Sequence, residues 1–299
     1  MEQFLNNEQK KQQEEVVEKD DIKPTLYDIN KALDYAESPD GRYKGIKGEY
    51  FGRMTVFTCF ILGRKPTIIR GSRSAGKTNM MCVLEGFSKK PIHLGASSEK
   101  VNLRDNDLNS ATHFFVPEIN KVNDNTVEML KDWGEGTASV YRTLDAYKEA
   151  IEFKVEPKAF ITSIADENKN SNGLGEELIS RLVTVNVDNS INQNTLVINT
   201  KLQRAQNPFY QENISPEIIK QLQKYTKALP DIAKVGFIYL PGTSVQSVIP
   251  PLFTDSRRDV EKYIYNTYGI TLFHQYDRMK IQRNNKEYYL VTPSDVWYN

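Results

Sequence analysis

The sequence predicts an α/β fold in which a parallel sheet is flanked by helices. Two observations support this prediction. The first is that, from Pro66 onward, short apolar runs alternate with loops and helical stretches. The second is that the first of these runs leads through a glycine-rich turn into a helix. Each run is apolar or β-branched and is bounded by turn residues. The predicted strands are Thr67–Arg70, Pro91–Gly95, Thr112–Val116, Ala159–Ile164 and Leu182–Val187.

The first 62 residues differ in composition from the rest of the chain. Residues 1–24 are rich in Glu, Gln, Lys and Asn, which is typical of a disordered tail or a solvated helix. Residues 25–62 are predicted as a helical segment, with one short helix near Leu26 and a second over the apolar run Phe51–Leu62. The α/β core is expected over 63–205.

The remaining predicted elements are an inserted hairpin and a C-terminal region. The hairpin lies between the third and fourth strands. Residues 206–299 are predicted as a helical lid and the start of a possible winged-helix region, and because the chain ends within the last helix, a truncated chain is one expectation. The predicted ranges are Thr137–Tyr141 and Ala150–Val155 for the hairpin, helices over Ser215–Leu229, Arg257–Tyr268 and Thr292–Trp297, and a second hairpin over Asn284–Tyr289.

Composition narrows the possible classes of protein. Lys plus Arg and Asp plus Glu both number 39, which excludes a generally cationic nucleic-acid binder but leaves room for a local basic loop or patch. No apolar run approaches the length of a membrane span, and no signal peptide is evident. Cys59 and Cys82 have no metal-site spacing, and the three histidines are far apart. We therefore expect a cytoplasmic protein with buried thiols and no histidine metal site.

The glycine-rich turn matches the phosphate-binding pattern GxxxxGK[ST]. Its glycines allow consecutive backbone amides to curl around a β-phosphate, and the following helix presents its positive end to the anion. Lys77 is predicted to reach the β- and γ-phosphates of ATP, and Thr78 to place its hydroxyl on Mg²⁺. The predicted nucleotide contacts are Gly71, Ser72, Arg73, Ser74, Ala75, Gly76, Lys77, Thr78 and Asn79. The alternative is a chance match in a Gly/Ser loop.

An acidic residue follows the third predicted strand. Glu118 ends the run that begins at His113, and a carboxylate there suits the activation of an attacking water. Pro117 stands where nucleotidases usually place an Asp that holds Mg²⁺ through water. Either the metal ion is then expected to depend more on Thr78 and the phosphates, or hydrolysis is expected to be slow. The alternative is that Glu118 only caps the next helix.

Beyond the phosphate loop, the order of motifs resembles the minichromosome maintenance (MCM) helicases of the AAA+ class. Phe115-Val-Pro-Glu-Ile-Asn-Lys-Val122 is similar to the acidic segment of that family. Glu128–Arg142 is similar to its helix leading into a channel hairpin, and Phe160–Asn168 to its sensor-1 strand. A later segment, Thr271–Arg278, resembles primase-helicases of plasmids and viruses. The resemblance covers about residues 66–299 and implies a P-loop NTPase of the AAA+ fold.

The resemblance also implies roles for three residues outside the loop. Glu177–Thr184 is similar to a family segment in which Arg181 would reach into the neighbouring subunit's nucleotide pocket, where a guanidinium stabilises charge on the γ-phosphate. Asp166 best matches the sensor-1 position, with Asn168 second. Arg258 matches the sensor-2 position on a lid helix, with Arg257 nearly equal. The non-functional alternatives are a surface salt bridge for Arg181 and a solvated helix face for Arg257 and Arg258.

The inserted hairpin is the predicted DNA contact. Tyr141, Arg142, Tyr147 and Lys148 interleave aromatic and basic side chains, which suits backbone charge with base stacking. Arg142 and Lys148 are the candidate DNA-binding residues. Packing of the tyrosines across the hairpin is the competing interpretation.

Two functions from different classes remain open on sequence. One is a motor: an ATP-dependent, Mg²⁺-requiring DNA helicase acting as a ring, expected to be a homo-hexamer, in replication of a plasmid, virus or archaeal-type replicon. The other is a nucleotide-controlled switch, loader or initiator with weak hydrolysis, which Pro117 and the zero net charge favour. A remodelling ATPase of the chelatase type is a further option.

Overall fold

The computed structural model describes residues 23–94, 110–116, 118–119, 122, 124–144, 150–165, 176–207, 214–240 and 256–297. The predicted tail falls almost wholly outside these ranges. Asp166 and Lys148, predicted as sensor-1 and DNA-binding residues, also lie outside them, and so do Pro117 and Asn168.

A five-stranded parallel sheet forms the centre of the described chain, in the order β2-β3-β6-β1-β7. Its strands are β1 (Thr67–Gly71), β2 (Pro91–His93), β3 (His113–Val116), β6 (Ala159–Ala165) and β7 (Val183–Asn186). Each observed strand overlaps its predicted run, and the described ends differ from prediction by a residue or two. The parallel α/β fold expected from the alternating pattern is therefore confirmed. Short apolar runs of this kind suit strands buried on both faces of a sheet.

Helices cover both faces of the sheet. Because neighbouring side chains in a strand point to opposite faces, Phe115 packs with Phe57 and Phe60 on one side, and Phe114 packs with Trp133 on the other. The helices before β7 are α1 (Leu26–Leu33), α2 (Tyr50–Val56), a π-helix (Phe57–Leu62), α3 (Lys77–Glu85), α4 (Asp124–Gly134) and α5 (Glu176–Arg181).

Helices α1 and α2 and the π-helix lie within 25–62 and pack onto the core. Thr25 caps α1 with a capping box to Asp28. The second predicted helix is continuous, but its second half is wound as the π-helix. Buried Arg53 of α2 connects this helix to α1 and to the loop between them, since it donates hydrogen bonds to Asn30, to Asp34 and to the carbonyl of Ile46.

The inserted hairpin consists of β4 (Ser139–Leu144) and β5 (Ala150–Val155), paired antiparallel. The prediction for its first strand was two to three residues too early, because the chain after α4 first turns at Gly136, which has φ +74°. Ser139 is then anchored by a hydrogen bond from its hydroxyl to Asp132, 2.9 Å long.

The C-terminal region is not all helical. The structure adds a three-stranded sheet, β8-β10-β9, in which β8 and β10 are parallel and β9 and β10 form the predicted hairpin. Helix α6 has no counterpart among the predicted elements, and α8 runs five residues further than predicted. The bounds are α6 (Ile191–Gln206), α7 (Pro216–Ala228), β8 (Gly236–Tyr239), α8 (Ser256–Phe273), a 3₁₀ turn (Gln275–Asp277), β9 (Lys280–Arg283), β10 (Lys286–Val291) and α9 (Pro293–Trp297).

A buried ion pair anchors the short helix α9. Asp295 is fully buried and receives Arg278 at both carboxylate oxygens, with nitrogen–oxygen distances of 2.5 and 3.0 Å. The backbone amide of Thr292 donates to the same carboxylate over 2.9 Å. Burial alone would raise the pKa of Asp295, but the nearby His274, whose ring nitrogen lies 3.8 Å from the carboxylate, and the hydrogen bonds from Arg278 and Thr292 outweigh it and hold the pKa well below its usual range.

No helix in the described ranges combines the length and the apolar character needed to cross a bilayer.

Candidate functional site

The glycine-rich turn connects the end of β1 to the start of α3 at the carboxyl edge of the sheet. Gly71 closes β1 and Lys77 opens α3. Two residues between them adopt left-handed backbone conformations, Ser74 with φ +64° and Gly76 with φ +85°. A side chain at Gly76 would be strained although no atom lies within 4 Å of its would-be Cβ. The turn thus has the backbone geometry that lets successive amides face one point.

Lys77 crosses the turn and is held by it. Its ammonium donates to the carbonyl of Gly71 over 2.8 Å and to that of Ser72 over 2.6 Å. The side chain is therefore directed over the loop and away from the core, and exposed Thr78 follows it on the first turn of α3. This places an ammonium and a hydroxyl beside the positive end of a helix, which is the arrangement that a triphosphate with a metal ion requires.

Two contacts support the loop from distant parts of the chain, and sequence reasoning missed their partners. Ser72 donates a hydrogen bond to the side-chain oxygen of Asn189, 3.2 Å away. The Asn79 amide donates to the carbonyl of Gly45 over 2.7 Å. These partners are 117 and 34 residues away in sequence, and they carry no motif that a linear reading could recognise.

Glu49 is a further missed residue next to this region. It is 8% exposed, and its carboxylate accepts a hydrogen bond from the amide of Asp188 over 2.9 Å. Burial, with a smaller contribution from the Asp188 carboxylate, raises the pKa of Glu49 above its usual value in spite of that hydrogen bond and of Arg53. Glu49 thereby fixes the segment after β7 that carries Asn189 to the loop.

The strand registers bring Glu118 to the same edge as the loop. Val116 and Ile68 are both paired with Thr162 of the intervening strand β6. Glu118, two residues beyond Val116 in sequence, is therefore expected near the level of Arg70, one residue before the loop begins. Two strand spacings, roughly 10 Å, separate β3 from β1. Glu118 is exposed, so its carboxylate is accessible at this edge.

The end of β6 also lies at this edge. Ala165, the last residue of β6, is paired with Gly71. Asp166 follows it directly in sequence but lies outside the described residues, as does Asn168.

Arg181 is not brought to the loop of its own chain. It ends α5 just before β7, whose first residue, Val183, is paired with Thr67 at the start of β1. The loop begins four residues further along β1, about 13 Å away at 3.3 Å per residue. The Arg181 side chain is 9% exposed, and its guanidinium pairs with Glu135 over 2.5 Å and donates to the Lys131 carbonyl over 3.4 Å.

Arg258 lies on the first turn of α8, and this helix contacts α5, the helix that ends at Arg181. Lys262, one turn further along α8, donates a hydrogen bond to the carbonyl of Ser180 over 3.1 Å. This part of α8 is therefore next to the end of α5. The side chains of Arg257 and Arg258 are outside the described part.

The backbone of Arg142 lies in β4, opposite Glu152 of β5. Its side chain and the whole of Lys148 fall outside the description, so the predicted DNA contact stays a prediction. Among the described residues, no group of three or more His, Cys, Asp or Glu side chains could hold a metal ion. Cys59 is buried, and burial raises the pKa of its thiol to about 12.

Comparisons with known proteins add no assignment. No protein-family model matches the chain, and no curated protein matches it significantly.

Proposed function

We propose that the chain is an ATP-binding P-loop ATPase of the AAA+ type. The observation that carries the proposal is the turn between β1 and α3, where left-handed Ser74 and Gly76 precede Lys77 and Thr78. The motif occurs together with its strand–loop–helix setting, and phosphate binding requires both. A Gly/Ser loop that matched the motif by chance would not be expected to hold a lysine side chain across its own backbone.

The donor set fits a nucleoside triphosphate with Mg²⁺. Backbone amides of the turn and the ammonium of Lys77 would bind the β- and γ-phosphates, and the hydroxyl of Thr78 would hold the metal ion. Mg²⁺ supplies charge neutralisation at the phosphates when it is bound. The exposed carboxylate of Glu118 would orient and deprotonate the water that attacks the γ-phosphate. Asp166 would complete this edge from the end of β6.

A ring of identical subunits explains the position of Arg181. A guanidinium at the amino edge of the sheet cannot reach the loop at the carboxyl edge of the same chain, but it could reach that of a neighbour. Arg258 is the proposed second arginine of this shared site. We therefore propose a homo-oligomeric, expected hexameric, motor that acts on DNA through Arg142 and Lys148, similar to the MCM helicases in replication.

A nucleotide-controlled switch with weak hydrolysis is the second candidate. Two observations favour it: Pro117 takes the position of the expected metal-holding Asp, and Arg181 is engaged by Glu135 within its own chain. If the Arg181 side chain must first leave its ion pair with Glu135, it would act on the nucleotide only when the neighbouring subunit is in place.

The test is ATP binding and turnover by the full chain, with and without single-stranded DNA. We expect Lys77→Ala to abolish binding, whereas Glu118→Gln should keep binding and reduce turnover by more than about 100-fold. Lys220→Ala and Glu156→Gln, which alter exposed residues away from the loop, are the matched controls. ATP binding without any wild-type turnover would favour the switch over the motor, and absence of ATP binding would refute the P-loop assignment.

A further inference from the structure

Basic residues stand in front of several strands of the parallel sheet. Lys89 and Lys90 precede β2, Lys158 precedes β6, and Arg64 and Lys65 precede β1. Because the strands are parallel, these residues collect at the amino edge, opposite the phosphate loop. Although the chain has no net charge, these residues produce a local excess of cations at the amino edge of the sheet.

A cavity opens at this edge between the core and the C-terminal helices. Its polar lining includes Arg64, Lys89, Lys227 and His113, and its apolar lining includes Ile61, Phe87, Leu229 and Leu272. Lys227 comes from the last turn of α7. Arg64, Lys89, Lys158 and Lys227 are called the amino-edge cluster below.

The cations of this cluster act on each other electrostatically. Burial is the main cause that lowers the pKa of Lys158, and the charge of Arg64 lowers it further, although Asp231 opposes the change. Burial also lowers the pKa of His113 to about 3, and Arg64 again adds to the effect. His113 is therefore neutral at pH 7, and Asp231, 2.5 Å from Arg64, is the carboxylate that partly balances the cluster.

The backbone at Arg64 is strained. Its φ is +51°, a left-handed conformation that non-glycine residues rarely adopt and that often marks functional sites. The residue turns the chain between the π-helix and β1, and in doing so it places the guanidinium at the cavity.

We infer that the amino-edge cluster binds the phosphate backbone of a single-stranded nucleic acid. From β2 to β1 the edge spans three strand spacings, about 14 Å, and about two to four phosphates of a nucleic-acid strand fit along that length, depending on how far the strand is extended beyond its duplex spacing of about 3.4 Å. The cluster is thus wide enough for several phosphates rather than one anion. This surface is separate from the hairpin of Arg142 and Lys148, and only the choice of nucleic acid as ligand rests on the proposed function.

The test is fluorescence anisotropy of a labelled 20-nucleotide single strand with the full chain, without ATP, at 50 to 200 mM salt. The test variant is Lys89→Gln with Lys227→Gln. The control variant is Lys220→Gln with Lys224→Gln, which removes the same two charges from exposed positions on the earlier turns of α7. Melting curves verify that both variants fold, and exposed Lys89→Glu alone serves if the test variant does not.

The inference predicts about tenfold weaker binding for the test variant. The slope of log affinity against log salt should also fall in magnitude by about 1.4, because each lost phosphate contact on a single strand contributes about 0.7. The affinity of the control variant should stay within twofold of wild type. Equal binding by test and control variants would overturn the inference, and so would loss confined to Arg142 and Lys148 variants. ATP turnover without DNA should be unaltered, so a failed ATPase and a failed binding surface give different results.

Discussion

The hydroxyl of Ser72 donates a hydrogen bond to the side-chain oxygen of Asn189 over 3.2 Å. This contact connects the second residue of the phosphate loop to the segment between β7 and α6. Ser190, the next residue, caps α6 by accepting a hydrogen bond from Gln193. The conformation of the loop therefore depends in part on where α6 begins.

Replacing Asn189 should loosen the loop. Asn189→Ala removes one partly exposed hydrogen bond, which is worth about 1 kcal/mol, so we expect ATP affinity to fall roughly three- to fivefold while the melting temperature changes little. Titration with a fluorescent ATP analogue measures the effect. Asn192→Ala, at an exposed position of α6, should leave the affinity unaltered, and an equal loss in both variants would contradict the role of Asn189.

Gly76 and Gly136 form a matched pair for testing the loop. Both have positive φ, +85° and +74°, and neither would bring a Cβ within 4 Å of another atom. Alanine at either position should therefore cost about 1 kcal/mol in stability through backbone strain alone. Gly76→Ala should in addition weaken ATP binding at least about tenfold, because the amides that face the phosphates turn away.

Gly136→Ala should keep the wild-type affinity for ATP. Thermal unfolding and nucleotide titration on both variants separate the two effects. If Gly136→Ala lost ATP affinity to the same extent as Gly76→Ala, the loss would reflect general destabilisation and not the loop.

The trans role proposed for Arg181 can be tested by mixing subunits. Lys77→Ala and Arg181→Ala should each lose turnover, the second by more than about 100-fold. In random one-to-one mixtures about a quarter of the interfaces would pair an intact loop with an intact arginine, which should restore turnover. No recovery in the mixture would argue against a shared site.

Glu135→Gln separates the structural role of Arg181 from its proposed catalytic role. If the ion pair with Glu135 only holds the arginine away from the neighbour, its loss should leave turnover equal or higher. A fall in turnover equal to that of Arg181→Ala would show that the pair itself is what activity requires. The measurement is steady-state ATP hydrolysis at one fixed protein concentration.

The buried carboxylate of Asp295 should be a major source of stability for the C-terminal region. Asp295→Ala leaves Arg278 without its partner in a buried site, and we expect the free energy of unfolding to fall by about 3 kcal/mol. Asp277→Ala, at an exposed ion pair with Lys23, should change it by less than about 1 kcal/mol. Urea unfolding at pH 7 compares the two.

The contribution of Asp295 should also depend on pH. Its pKa is lower in the folded protein than the value of about 3.9 for an unfolded Asp. The stabilisation is therefore fully present above pH 4 to 5 and is lost as the pH falls towards the folded pKa. The difference in stability between wild type and Asp295→Ala should shrink between pH 5 and pH 3. A constant difference would contradict this assignment.

The central sheet could be predicted because its strands are short apolar runs between turn residues, and the loop because its motif lies within one continuous strand–turn–helix. Helix α6 could not, since its hydrophobic pattern is inverted. Ile191 is 83% exposed and Ile198 56% exposed, while its buried residues are Gln193 and Thr200. A reading that expects apolar residues inside finds no helix there.

Other features could not be predicted from the sequence because they depend on contacts between distant parts of the chain. Strand β8 has four residues and is paired with β10, some fifty residues later, so neither local composition nor a hairpin turn indicates it. Asn189 and Glu49 support the loop through contacts that only the folded chain creates. The site's motif was therefore readable, but its supports were not.

The π-helix between α2 and β1 has a consequence for how this chain tolerates insertions and deletions. Such a segment contains more residues per turn than an α-helix. Deleting one residue within Phe57–Leu62 would let this segment rewind as a regular α-helix, because the wide turn already holds an extra residue. Glu49 and Arg53 would then keep nearly the same direction towards Asp188 and Asn30. The same deletion in the regular helix α2 would instead rotate everything before it by about 100°, so a one-residue deletion should be tolerated better within these six residues than within α2.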